Sequence, residues 1–317
     1  MKKVLMVDGI DSICETILRQ RGFQPVVKNN IGAEELKCCI GQYEAIILRS
    51  ATTLSKDIIE TAVNLRAVAR AGAGVDNIDV DACTRRNILV MNVPFGNIVS
   101  TAEYAVAMIM ALARHIPQAN VSTHAGKWEK KKFMGTEITG KTLGVIGCGN
   151  VGSIVVDRAR GLKMEVLVYD PALTNGRAAG LGAELTSLDE LYARSDFITY
   201  HVALSESTKG MLNSSSISRM KNGVRIVNCA RGGIMVEEDV KAALVSRKIA
   251  ALAVDVYLKE PAKEHIFFGM PNVIATPHIA ASTEDAQVRV SQAAAEQISD
   301  YLLSGKKTCA VNGDRIK

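Results

Sequence analysis

The chain has 317 residues, of which 48% are hydrophobic and only 4% aromatic. This length exceeds what one hydrophobic core usually serves, so we expect two domains, and the abundance of Ala, Val and Ile suits α/β layers better than a β-sandwich. The net charge of +5 comes from basic residues that are mostly scattered among acids, which does not indicate a nucleic-acid-binding surface.

The cysteines and the amino-terminal residues bear on the compartment. None of the seven cysteines belongs to a Cys-x-x-Cys pair, and the apolar run Val4–Val7 ends at Asp8, too early for the hydrophobic region of a signal peptide. No apolar run approaches the length of a membrane span. We therefore predict a reduced, cytoplasmic protein with no metal site and with neither nucleic-acid nor membrane partners.

The first part of the chain alternates short apolar runs with amphipathic segments, which predicts a parallel α/β sheet. Helices are expected at Ser12–Arg21 and at Ser55–Ala62, the second with Ser55 as its N-cap. Asn92–Asn97 interrupts the pattern and predicts a crossover. Ala102–Ala113 is apolar nearly all round, which predicts a buried helix. The expected strands are Val4–Val7, Val26–Val27, Ala45–Leu48, Val68–Arg70 and Ile88–Met91.

A second α/β unit is predicted to begin at Thr142. A helix at Asn150–Gly161 follows its first strand, and a long amphipathic helix at Glu284–Leu303 ends before Gly305. The expected strands of this unit are Leu143–Ile146, Glu165–Tyr169, Phe197–His201, Arg225–Asn228, Leu252–Val254 and Val273–Ala275.

The most specific motif lies at the start of this second unit. It reads Gly147-Cys148-Gly149-Asn150-Val151-Gly152, between a predicted strand and a predicted helix, and Asp170 closes the next strand about 20 residues on. The glycines allow a tight turn, the approach of a pyrophosphate and close helix–strand packing, and the acid accepts hydrogen bonds from a ribose. An ordinary glycine-rich turn would not need the acid. Because a carboxylate repels a 2′-phosphate, the motif predicts NAD rather than NADP.

Three further motifs lie at the ends of predicted strands, where ligands of open α/β sheets bind. Arg231 is suited to a bidentate clamp on a carboxylate, and His278 to proton transfer near neutral pH. Glu260 is suited to orienting the imidazole. Each residue alone has an ordinary structural interpretation, but their occurrence at three strand ends of one dinucleotide domain favours reduction or oxidation at a carbon next to a carboxylate.

These motifs resemble those of the D-isomer-specific 2-hydroxyacid dehydrogenase family, and the similarity extends from Lys2 to about Asn312. The resemblance implies that Arg231 binds substrate, that His278 carries the proton and that Glu260 is its carboxylate partner. It also implies a set of cofactor-binding positions, namely Gly147, Gly149, Asn150, Val151, Gly152, Asp170, Val202, Cys229, Ala230, Asp255 and Ala281.

Residues 48–52, 71–79, 126–135 and 228–233 resemble the branch of this family that oxidises 3-phospho-D-glycerate to 3-phosphooxypyruvate with NAD, the first step of L-serine biosynthesis. In relatives, the position of Lys130 is often an arginine, contributed by the neighbouring subunit, that binds the substrate phosphate. A lysine keeps the positive charge but lacks the bidentate geometry of the guanidinium. The substrate-binding residues expected from this resemblance are Arg49, Ser50, Ala73, Gly74, Lys130, Arg231 and His278.

The resemblance implies two doubly wound parallel-sheet domains, a Rossmann NAD-binding domain (96–284) inserted into a flavodoxin-like substrate-binding domain (1–95 plus 285–317). A homodimer or tetramer is expected, through the helix Ala102–Ala113 and the loop that carries Trp128. Because the sequence ends soon after the long helix, we also expect a short form without the carboxyl-terminal serine-binding domains of longer relatives.

Two alternatives stay open on sequence alone. The first is a glyoxylate/hydroxypyruvate reductase, or another D-2-hydroxyacid dehydrogenase, for which Lys130 would not be needed. The second is an NAD-sensing scaffold like the related transcriptional corepressors, because a shared fold does not fix function.

Overall fold

The computed structural model describes residues 1–316 and divides into two compact units. The first unit comprises Met1–Ile98 and the residues from Ser282 onwards, and the second comprises Val99–Ala281. The junctions lie at 98/99 and 281/282, whereas the sequence placed them at 95/96 and 284/285. The second junction lies earlier because Thr283 caps the long helix that belongs to the first unit.

The helices and strands alternate through both units. In chain order, strands β1 to β12 span Lys3–Met6, Gln24–Val27, Ala45–Leu48, Ala67–Arg70, Leu89–Asn92, Thr142–Ile146, Glu165–Tyr169, Glu184–Leu185, Phe197–Tyr200, Val224–Asn228, Ile249–Val254 and Val273–Ala275. Helices α1 to α12 span Ser12–Gln20, Ala33–Cys39, Lys56–Thr61, Val80–Arg85, Ile98–Arg114, Ile116–His124, Asn150–Gly161, Asn175–Leu181, Leu188–Arg194, Ser214–Arg219, Glu237–Val245 and Glu284–Ser304.

The first unit is built on a five-stranded sheet in the order β2-β1-β3-β4-β5, with every pair parallel. This is the flavodoxin-like order, as predicted. Helix α12 completes this unit, because Val290, Ala294 and Ile298 are buried in the same core as the strand residues Val4 and Ala67. Helices α2 and α4 were not predicted. Ser55 is the N-cap residue of α3, as predicted, but its side chain makes no capping hydrogen bond.

The second unit is built on a seven-stranded parallel sheet in the order β12-β11-β10-β9-β6-β7-β8. The chain winds in one direction from β6 to β8 and in the other from β9 to β12, so the strand order reverses between β6 and β9. In open α/β sheets, ligands bind at the carboxyl ends of the strands beside such a reversal. The predicted fold class, with two doubly wound parallel sheets, is confirmed.

Helix α5 differs from its prediction as a buried helix. Ala105, Ile109 and Leu112 are buried in the second unit, but Glu103 and Ala107 on the other face are exposed. The apolar composition therefore extends beyond the face that this unit covers. Within residues 1–316, none of the helices has both the length and the apolar character that a membrane crossing requires.

Candidate active site

The glycine turn follows β6, at the reversal of the second sheet. Gly147 has a φ of +88°, and a Cβ there would lie 2.6 Å from the carbonyl oxygen of His201. A Cβ on Gly152 would lie 2.1 Å from the carbonyl oxygen of Gly147, so α7 packs directly on the turn. A Cβ on Gly149 would meet no atom within 4 Å. The turn thus has no room for a side chain at its first and last glycines, whereas it has room for one at the middle glycine.

The amino end of α7 and Asp170 complete this part of the site. Gly149 is the N-cap of α7 and offers no side chain to its first N–H groups, which suits them to bind phosphate oxygens. The Asp170 carboxylate accepts hydrogen bonds from the backbone N–H of Cys148 at 2.8 Å and of Ala172 at 2.9 Å. A carboxylate can accept about four hydrogen bonds, so capacity is left for two ribose hydroxyls. The residues present therefore fit an NAD molecule.

Four other predicted cofactor positions follow strands of the same sheet at the same edge. Val202 lies beyond β9, Cys229 and Ala230 follow β10, and Ala281 lies beyond β12. Burial raises the pKa of the Cys229 thiol, and Asp255 raises it further, so the side chain is uncharged near neutral pH. His201, next to Val202, is half-buried, and desolvation by the surrounding protein lowers its pKa to about 4. It is therefore uncharged near neutral pH and a poor proton carrier.

His278 and Glu260 form the closest polar pair of the site. The His278 Nδ1 lies 2.6 Å from Glu260 Oε2, and both side chains are partly exposed. The second carboxylate oxygen of Glu260 accepts the backbone N–H of Tyr257 at 3.0 Å. Because the carboxylate holds Nδ1, the proton stays on that nitrogen and Nε2 is left to exchange a proton with a ligand.

Asp255 holds the backbone around His278. Its fully buried carboxylate accepts the Thr276 hydroxyl at 2.7 Å and the N–H groups of Ile279 and Ala280 at 2.9 and 2.8 Å. His278 itself has a φ of +55°, a left-handed conformation that is uncommon for non-glycine residues. The sequence assigned Asp255 to the cofactor, whereas its carboxylate in the structure is engaged with the segment that carries His278.

Arg231 lies in the turn after β10, and the buried Asn228 shapes that turn. The Asn228 amide donates to the carbonyl of Arg231 at 2.9 Å and accepts the N–H of Ala230 at 3.1 Å. The guanidinium of Arg231 donates to the carbonyl of Ala230 at 2.7 Å. Asn228 belongs to a quoted motif but was not predicted as a site residue, and its position at the end of a buried strand is the signal that identifies it.

Tyr257 joins the three strand-end segments that carry Arg231, Glu260 and His278. A Cβ on Gly232 would lie 2.1 Å from the backbone carbon of Tyr257, so the Arg231 turn packs directly on it. Its N–H binds Glu260, and its hydroxyl donates to the carbonyl of Thr276 at 2.9 Å. Because β10, β11 and β12 are neighbours in the sheet, their carboxyl ends bring the three predicted residues together.

The predicted substrate residues of the first unit form their own cluster, at the carboxyl ends of β3 and β4. Asp8 accepts the N–H groups of Arg49 and Thr52, at 2.9 and 3.0 Å, and Asn77 donates to the carbonyls of the same two residues. Burial lowers the pKa of Arg49, and Asp8 opposes this shift. An arginine remains charged at neutral pH in any case.

Ser50 follows Arg49 in this loop, and the Ala73-Gly74 pair follows β4, where the Asn92 amide donates to the carbonyl of Ala73 at 2.6 Å. Arg70, the last residue of β4, has Leu48 on β3 as its register partner, next to Arg49. Lys130 lies in the second unit, exposed, in a short 3₁₀-helix at Lys130–Phe133.

Comparisons with known proteins identify the family. Residues 106–280, within the second unit, match the family described as D-isomer specific 2-hydroxyacid dehydrogenase, NAD binding domain. The chain therefore belongs to this family, and the resemblance predicted from the motifs is confirmed.

Two curated relatives and one solved structure show the extent of the similarity. The chain is 44% identical over 316 residues to the D-3-phosphoglycerate dehydrogenase of Homo sapiens, covering 100% of this chain and 59% of that protein. It is 46% identical over 312 residues to that of Synechocystis sp., covering 98% of this chain and 56% of that protein. The chain thus spans less than two thirds of the length of these relatives. The apo-structure of D-lactate dehydrogenase from Escherichia coli superposes with a TM-score of 0.86 at 28% identity, covering 98% of this chain and 99% of that one.

Proposed function

We propose that this chain catalyses the NAD-dependent oxidation of 3-phospho-D-glycerate to 3-phosphooxypyruvate. The observation that carries the proposal is the His278–Glu260 pair, at 2.6 Å, in which His278 follows β12 and Glu260 follows β11, the strand next to β10, which presents Arg231. The similarity to curated D-3-phosphoglycerate dehydrogenases, at 44% to 46% identity, supports the choice of substrate over that of the structurally similar D-lactate dehydrogenase.

The residues divide the chemistry among them. Arg231 binds the substrate carboxylate, and Nε2 of His278 takes the proton of the hydroxyl being oxidised. Glu260, through Nδ1, fixes the tautomer and stabilises the imidazolium that results. When bound, NAD supplies the acceptor for the hydride that leaves carbon 2. Gly147, Gly149, Asn150, Val151 and Gly152 hold its pyrophosphate, and Asp170 holds its ribose.

A substrate panel tests the assignment. With NADH, we expect kcat/KM for 3-phosphooxypyruvate to exceed that for glyoxylate and hydroxypyruvate by about tenfold or more, since charge-assisted hydrogen bonds to the phosphate are each worth about 1.5–3 kcal/mol. A preference for glyoxylate or hydroxypyruvate would replace this function with that of a glyoxylate/hydroxypyruvate reductase. The lysine at position 130, which lacks the bidentate geometry of arginine, is the feature that keeps this second candidate open.

Lys130 is proposed as a phosphate ligand. Replacing Lys130 with Ala should raise KM for the phosphorylated substrate about tenfold and leave KM for hydroxypyruvate unchanged. Lys131→Ala, in the same 3₁₀-helix, is the matched control because it removes the same charge one residue away. Equal effects of the two replacements, or an equal effect of Lys130→Ala on both substrates, would contradict a specific phosphate contact.

We also propose a homodimer formed through the second unit. Large apolar side chains that are at least two-fifths exposed cluster in the stretch 99–134, namely Val99 at 41%, Ile116 at 53%, Val121 at 68%, Trp128 at 88% and Met134 at 79%. Exposed apolar clusters of this kind mark protein–protein interfaces. Sedimentation should give a dimer or a larger even oligomer, and Trp128→Glu should shift it toward monomer. A monomeric wild-type chain at micromolar concentration would refute the interface.

A reducing, cytoplasmic location completes the proposal. It is supported by the seven cysteines, none of which is paired in a disulfide within residues 1–316.

A further inference from the structure

A polar cavity of about 180 Å³ lies in the second unit, away from the glycine turn. Its walls are Thr136, Lys141, Asp196, Phe197 and the run 221–225. Lys141 directly precedes β6, Asp196 precedes β9, and the run 221–223 precedes β10. Since these strands are parallel, the cavity lies at their amino ends, the edge of the sheet opposite to the glycine turn and to His278.

The charges around the cavity do not balance. Lys141, Lys221 and Arg225 carry three positive charges, and Asp196 is the one carboxylate among the lining residues. One oxygen of Asp196 accepts the N–H of Thr142 at 2.9 Å, and the other accepts the ammonium of Lys221 at 3.0 Å. Burial opposes ionisation of Asp196, but these two donors hold its pKa below the ordinary value. The carboxylate is therefore ionised and already shared, which leaves the other two cations without a counter-charge in the lining.

Arg225 is held in place, and one of its donor atoms is buried without a partner. Its Nη2 donates to the Thr136 hydroxyl at 3.0 Å, and its guanidinium carbon lies 5.3 Å from the centre of the Phe197 ring. Its Nε is buried and has no hydrogen-bond partner among the residues that the structure describes. Burial lowers the pKa of Arg225, and the opposing effect of Asp196 does not cancel the shift. A buried donor without an acceptor costs about 1–3 kcal/mol, so an acceptor from outside the chain would be favoured here.

We propose that this cavity binds a small, doubly charged oxyanion of the phosphate class. Its oxygens accept hydrogen bonds from the ammonium groups of Lys141 and Lys221, and its charge balances the excess that these two residues and Arg225 create in the lining. The cavity exceeds the volume of about 30 Å³ that one water molecule occupies in the liquid, so an oxyanion has room. Because the ligand binds the folded unit, it stabilises that unit by mass action.

The experiment is a titration of the full chain with inorganic phosphate at constant ionic strength, followed by calorimetry and by the unfolding temperature. We expect saturable binding and a rise in Tm that chloride does not produce. Lys141→Gln should weaken binding about tenfold or more, and this variant should fold, since Lys141 is half-buried and its ammonium makes no described hydrogen bond. Lys37→Gln, in the first unit, removes the same charge and should change nothing.

Further arms separate this site from the proposed substrate site. The double variant Arg49→Gln/Arg231→Gln lacks two cations that were predicted to bind substrate and should still bind phosphate. Loss of binding in that variant, or equal binding by wild type and Lys141→Gln, overturns the proposal. Glycerol 2-phosphate, titrated in the same way, distinguishes a phosphate monoester from free phosphate. Saturable binding of either ligand supports the proposal if Lys141→Gln weakens that binding. These outcomes do not depend on which hydroxy acid the chain oxidises.

Discussion

Replacing His278 with Ala is expected to lower kcat by about 10²–10⁴-fold, the usual contribution of a positioned general acid or base, while NADH binding stays unchanged. The reason is that Nδ1 of His278 is held by Glu260 at 2.6 Å, so that in the proposed mechanism Nε2 exchanges the substrate proton. The measurements are steady-state kinetics with 3-phosphooxypyruvate and fluorescence titration with NADH. An unchanged kcat would remove His278 from the mechanism.

The left-handed conformation of His278 requires a second variant. At a φ of +55°, alanine adds backbone strain of its own. Asn tolerates this conformation and has no group that titrates near neutral pH, so His278→Asn should lose as much activity as His278→Ala. Substantial activity in the Asn variant alone would mean that the Ala variant fails through its backbone. His124→Ala, at an exposed histidine of α6, should behave as wild type.

Glu260→Gln separates the carboxylate from the imidazole. The amide keeps the size of the side chain but carries no charge to stabilise the imidazolium, so kcat should fall less than in the His278 variants. NADH affinity should again be unchanged. Combining Glu260→Gln with His278→Asn should cost little more than His278→Asn alone, because residues that act as one unit are not additive. Full additivity would show that Glu260 acts independently of His278.

The second large effect is expected at the glycine turn. Gly152→Ala places a Cβ at 2.1 Å from the carbonyl oxygen of Gly147. This contact is with backbone, and Gly147 is itself packed against the carbonyl of His201, so the turn cannot move aside. We expect the free energy of unfolding to fall by about 3 kcal/mol, with the loss of most NAD affinity. Urea unfolding and a fluorescence titration measure the two effects.

Gly149→Ala is the informative comparison, since its Cβ would meet no protein atom within 4 Å. Stability should change by less than about 1 kcal/mol, whereas the added methyl occupies the side from which the pyrophosphate approaches, so NAD affinity should fall about tenfold. Gly161→Ala, at the other end of α7 and equally unobstructed, should alter neither property for the worse. NAD affinity at the wild-type level in Gly149→Ala would place the pyrophosphate elsewhere, and wild-type stability of Gly152→Ala would disprove the close packing.

Several local features were predictable because neighbouring residues determine them. The spacing of Gly147, Gly149 and Gly152 reflects a turn whose contacts lie within a few residues, and Asp170 follows at the end of the next strand. Helix α6 was missed because it begins after the left-handed His115 and is rich in residues that form helices poorly. Helix α5 was predicted to be buried, yet only one face is covered. Apolar composition shows that a helix favours burial, but it does not show which surface will cover each face of the helix.

The sequence by itself predicted the fold class through its periodicity and the dinucleotide motif through its short-range spacing, and the family through the resemblance of its motifs. Only the tertiary structure decided how the residues of the site are held. Asn228 shapes the Arg231 turn, and Tyr257 joins the segments of Arg231, Glu260 and His278. Asp255 binds the Thr276 hydroxyl before His278 and the N–H groups of Ile279 and Ala280 after it. Likewise, the cavity between Lys141 and Arg225 unites residues 84 positions apart. Such contacts depend on which strands become neighbours, and that is settled by packing of the whole sheet rather than by local preference.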